Sequence, residues 1–196
     1  MKFPEKLKPY KGVIYFVVIL LVSHFFWKLF VLGDENGKMV TFFGWNISQP
    51  FIFMAHHIAV VTQSILNTFG YDIKMYSNNV LEHVVSKNGV WVIWGCTGIK
   101  QAYIFLCIIA FYSGPWKHKL WYIPLGVVFV YLFNIFRIVL IMMIIDKHPN
   151  QFNLWHEHIL KYVFYLMIFG LWVFWNEKFV EKKGENTSSK APIKNA

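Results

Sequence analysis

Three stretches of this chain are too long and too apolar to be ordinary core helices. Val13 to Leu32 is broken only by Ser23, His24 and Lys28. Leu120 to Ile145 carries Asn134 and Arg137 in an otherwise greasy run, and Ile159 to Trp175 is the third. A bilayer core needs about 20 such residues in a helix. Inside lipid the backbone must satisfy its own hydrogen bonds, so helices are the expected solution. Composition closes off the soluble alternative. The chain has 196 residues, 57% hydrophobic and only 15% charged, more apolar surface than a domain of this size can bury. The expected fold class is an all-α integral membrane protein.

Charge gives the expected orientation. The net charge of +9 does not point to nucleic acid, because the lysines gather at the two chain ends and in the short "SGPWKHK" connection. Residues 1–12 form a basic cap, and residues 177–196 form a basic, polar tail expected to be disordered. Both ends and Lys117 and Lys119 therefore belong on the cytoplasmic side. Four crossings satisfy this, at about 13–33, 97–113, 119–145 and 158–176, within one membrane-embedded domain over 13–176. The weaker stretch 50–69 then becomes an interfacial or re-entrant helix on the outside. "VLEHVVSKNGVWVIW" reads as a β-hairpin turning at Asn88-Gly89, the dipeptide that type I′ turns prefer. No small-residue cleavage site follows the first run, so it reads as a retained span.

In this topology Cys96, Arg137 and His156 fall in one outer layer, from three separate segments. Cys96 precedes a helix expected to start near Thr97. A helix N-terminus lowers a thiol pKa, and Lys100 adds positive potential one turn on. Gly95 and Gly98 permit a tight turn. Cys107, in apolar surroundings about 16 Å further along, is too far for a bridge and reads as filler. Arg137 in a span costs about 2.5 kcal/mol or more and must face a polar interior, with Asn134 beside it at i−3. An arginine there can stabilise an oxyanion. His156 can serve as general base and then general acid toward a thiol; His158 is the alternative, on a different helix face. His56 and His57 read as structural. No metal-ligand spacing is evident, and neither metal nor cofactor is expected.

"CTGIK" at Cys96, "NIFRI" at Arg137 and "WHEHILKY" at His156 resemble the exosortase/archaeosortase family over roughly residues 70–176, most closely its short exosortase F type. That resemblance implies a membrane cysteine protease or transpeptidase. It would cleave C-terminal sorting signals of exported proteins, each a short motif, a transmembrane helix and a basic cluster. Carried over, Cys96 is the nucleophile, His156 the acid/base and Arg137 the oxyanion stabiliser, with Thr97, Gly98, Lys100 and Asn134 in support. The implied setting is the bacterial inner membrane with the site facing the periplasm. The implied partners are sorting-signal helices, membrane lipids and an unidentified acceptor nucleophile, with no nucleic acid. Lys100 stands where the family usually has arginine, and Leu160 and Lys161 stand where a glycine is common after the histidine. Two other classes compete: a non-catalytic membrane scaffold, and a small transporter subunit with Arg137 lining a pathway.

Overall fold

The computed structural model describes residues 10–34, 39–77 and 79–181, so most of the basic cap and tail lies outside the described residues. Helices dominate. The long ones are α1 (Lys11–Phe30), α2 (Ser48–Thr68), α3 (Ile99–Phe111), α4 (Trp116–Lys147) and α5 (Leu160–Trp175). Two small antiparallel sheets lie between them: β1 (Val31–Gly33), β2 (Val40–Phe42) and β3 (Trp45–Asn46), then β4 (Ile73–Tyr76), β5 (Val80–His83) and β6 (Gly89–Trp91). The protein is an all-α membrane protein with minor β elements.

Three segments among the described residues are long and apolar enough to cross a bilayer: Lys11–Phe30, Trp116–Lys147 and Pro149–Val180. The fourth expected span is shorter than 97–113. Gly98 at φ +74° delays the start of α3, and the Gly114-Pro115 turn ends it, leaving 13 residues, or about 20 Å. α4, 32 residues long, follows the turn and packs against α3. Lys117 and Lys119 belong to the first turn of α4 rather than to a loop. Lys119 is buried and donates from Nζ to Ala110 O (2.8 Å) and Tyr112 O (2.6 Å), closing the C-terminus of α3. It is therefore a cap, and only exposed Lys117 remains a topological charge here.

α2 is amphipathic. Phe51, Ala55, Ile58, Ala59, Thr62 and Leu66 are buried along one face, which packs on α4 and the second sheet. His56 and His57 bond Asn79 and Tyr131, at 3.0 and 2.8 Å. Residues 31–33, 40–42 and 45–46, between α1 and α2, form the first sheet. Ser48 Oγ stitches that sheet to α2 by accepting from Val40 N at 2.8 Å.

The expected hairpin is present with a different turn. β5 and β6 pair Val80 with Trp91, Leu81 with Val90 and Glu82 with Gly89, so Gly89 sits in the ladder. The left-handed residue is Lys87, at φ 60°. Gly89 is required by proximity instead: a Cβ there would lie 2.5 Å from Leu81 O. Asn88 leaves the turn to donate to Ile145 O of α4 at 3.0 Å. Ser86 and His83 also hold the sheet on α4, through Asp146 (2.8 and 3.4 Å) and Met142 O (2.9 Å). The strand leading to Cys96 is thus fastened to the helix that carries Arg137.

Candidate active site

The chain leaves β6 through a 3₁₀ turn, Trp94–Cys96, whose Cys96 N donates to Ile93 O at 2.9 Å. Thr97 is buried; its hydroxyl donates to Trp94 O at 2.7 Å and accepts from Ile99 N at 3.4 Å, joining turn to helix. Gly98 takes a conformation that side chains avoid, and a Cβ there would stand 3.0 Å from Asn134 Cγ. That close approach lets Asn134 Nδ2 donate to Cys96 O at 2.8 Å. Thr97, Gly98 and Asn134 therefore position the Cys96 backbone. Trp94 anchors the turn from outside, with its indole N–H on Asp34 O at 3.3 Å.

Arg137 is buried on α4 three residues beyond Asn134. Its Nη2 donates to the His156 backbone carbonyl at 3.3 Å, while Nε has no hydrogen-bond partner among the described residues. No carboxylate among the described residues forms an ion pair with it. The wide coil of a π-helical segment, Leu154–Ile159, precedes α5 and presents His156. The His156 ring stacks on Phe152 at 5.0 Å, and its Nδ1 meets Glu157 Oε1 at 2.9 Å. This leaves Nε2 for other work. His158 is exposed and does not line the cavity described next.

Cys96, Arg137 and His156 line one cavity of about 530 Å³, together with Lys100, Gly95 and Gln101. The same three also bound a smaller void beside Val92, Ile138 and Ile141. Space is open next to Gly95, where a Cβ would meet nothing within 4 Å. The cavity is strongly cationic: Lys28, Lys100, Lys161 and Arg137 face a single acid, Glu157, which reaches Lys161 at 4.0 Å.

The expectation of an activated resting thiol needs correction. α3 starts three residues after Cys96, so the sulfur does not sit on the helix end. Burial pushes the Cys96 thiol up, and a backbone hydrogen bond with Ile93 and the nearby Arg137 charge only partly oppose this. A base is therefore needed to take its proton. Cys107 is buried in α3. Glu157 is the site residue that sequence reasoning passed over. Its signal was being the acid beside His156, but adjacent residues do not share a face of a regular helix.

A family model described as a transmembrane exosortase matches residues 37–174, more than half of the chain. The chain belongs to the transmembrane exosortase family. The match includes Cys96, Arg137 and His156 and starts well before residue 70, where the motif resemblance began; it leaves out α1. No curated protein and no solved structure matches this exosortase.

Proposed function

We propose that this exosortase is a cysteine transpeptidase or protease acting on C-terminal sorting signals at the extracytoplasmic face of a bacterial inner membrane. The observation that carries the reading is the convergence of Cys96, Arg137 and His156 on one cavity from three separate elements. His156 Nε2 takes the thiol proton as Cys96 Sγ attacks the scissile carbonyl carbon. The guanidinium charge of Arg137, which lines the cavity beside Cys96, stabilises the developing oxyanion. Collapse breaks the C–N bond, and His156 returns the proton to the departing amine. The thioester at Cys96 is then resolved by an acceptor nucleophile or by water. Glu157 on Nδ1 holds the ring and favours the imidazolium that forms in between.

The test is processing of a sorting-signal substrate in cells carrying Cys96→Ala or Cys107→Ala at wild-type abundance. Cys96→Ala is expected to leave the precursor uncut, and Cys107→Ala to mature it normally. Normal maturation with Cys96→Ala would instead indicate a non-catalytic scaffold.

A further inference from the structure

The first sheet ends in a turn with unusual chemistry. β2 and β3 pair Phe42 with Trp45, so Phe43 and Gly44 form a two-residue loop. Both are left-handed, with φ of 49° and 83°, as a type I′ hairpin requires. The first of these positions normally carries asparagine, aspartate or glycine, because a bulky side chain resists positive φ. In this chain it carries phenylalanine, within the stretch "TFFGWN", which has no charged residue. Phe43 is 59% exposed, and Trp45, on the edge strand, is 79% exposed.

The surroundings of the tip indicate what covers it. α1 is a span-length apolar helix with little of its surface buried, so its outer face meets lipid. Phe26 and Phe30, in the last two turns of α1, have ring centroids 4.6 Å apart, and Phe30 stacks on Phe43 at 4.3 Å. Phe26 and Leu29 are exposed. An aromatic strip thus climbs from the lipid face of the span onto the hairpin tip. The β1–β2 ladder runs away from this tip, to the Gly33–Val40 pair. The buried residues of the sheet, Val31 and Val40, pack with Trp27 and Phe51, and a Cβ on Gly33 would overlap the Trp94 ring. Val31, Trp27, Phe51 and Trp94 all line the Cys96 cavity. One side of the sheet therefore builds the cavity wall, and the aromatic tip projects beyond it.

We infer that the Phe43–Trp45 tip is seated in the headgroup region of the bilayer beside the end of α1, a foot that holds the first sheet at the membrane surface. Tryptophan favours that region, where its apolar body is buried and its N–H stays wet. Lipid also accounts for the phenylalanine. In water asparagine would serve this turn better, whereas at the membrane interface the ring extends the apolar strip of α1. The seating is a property of the fold and does not rest on the peptide chemistry.

Site-specific labelling of the full chain in phosphatidylcholine nanodiscs tests the assignment. With Cys96 and Cys107 both changed to Ala, an environment-sensitive fluorophore is attached through Trp45→Cys. For comparison it is attached through Val85→Cys, at the exposed turn of the second sheet. The position-45 label is expected to emit further to the blue, to be quenched by nitroxide-bearing lipid and to escape iodide. The position-85 label is expected to do the reverse. Phe43→Asn supplies a residue that accepts the left-handed turn, so it is expected to shift the position-45 emission to the red while the melting temperature is retained. Iodide quenching at position 45 as strong as at position 85 overturns the inference. So does protection from both quenchers, which marks a protein partner such as a second copy of the chain, and so does a position-45 spectrum that Phe43→Asn leaves unchanged.

Discussion

The two ends of this helical bundle treat buried polar groups differently. At the α3–α4 turn almost every one is satisfied. Trp175 is fully buried and its Nε1 donates to Ser113 O at 3.0 Å; Tyr122 donates to Leu171 O at 2.7 Å; Lys119 serves two carbonyls. Aromatic rings then fill the space, with Tyr122 5.0 Å from Trp175 and Phe16 4.7 Å from Trp172. At the Cys96 end, Gln101 Oε1, Asn134 Oδ1 and Arg137 Nε are buried without partners among the described residues, and Gln101 and Arg137 belong to the residues that line the cavity. One end spends its polar groups on holding helices together. The other leaves polar atoms unpaired near the cavity that Cys96 lines. Trp172 Nε1 departs from this pattern.

This contrast breaks if substitutions at the two ends have the same kind of effect. The largest expected change is Cys96→Ser, which should reduce turnover at least about a thousandfold with the melting temperature unchanged. Next, Trp175→Ala should cost about 3–5 kcal/mol of stability, read by thermal unfolding in detergent, while the folded fraction keeps its specific activity. Arg137→Lys should lower kcat about a hundredfold, because one ammonium cannot reproduce the guanidinium fork. If Arg137→Lys instead lowers stability without changing kcat, the two ends are alike and the oxyanion role is lost.

The smallest expected effect concerns pH. Burial raises the Cys96 thiol pKa, so the thiolate fraction keeps growing beyond the ordinary thiol range. Alkylation of Cys96 should therefore still be accelerating with pH where an exposed thiol has levelled off. Arg137→Gln should move the curve further up, because the guanidinium favours the thiolate. A plateau below about pH 8 would indicate a pre-formed thiolate.

Span-length apolar runs made α1, α4 and α5 legible, because a 3.6-residue period is not needed to recognise a helix surrounded by lipid. Cys96, Arg137 and His156 were legible because each is chemically out of place in its setting. Features made by distant contacts were not. Asn88-Gly89 looked like a turn, yet Gly89 answers to Leu81 O and Asn88 to Ile145 O. Lys119 looked like a surface charge, yet the open carbonyls of α3 draw it inward. The pairing of His156 with Glu157 occurs within a π-helical coil that no local pattern announced. The thiol's raised pKa follows from burial, which local sequence does not report.

The central claim is that Cys96 forms a covalent bond with the peptide being cleaved. Intact-protein mass spectrometry of the purified exosortase, quenched in acid during turnover of a substrate with motif, apolar helix and basic cluster, tests it directly. The account predicts an adduct of the acyl fragment's mass on Cys96, absent from Cys96→Ala and strongly reduced in His156→Gln, which lacks the base that takes the thiol proton. Cleavage that proceeds with no adduct, or with the adduct on another residue, would contradict it.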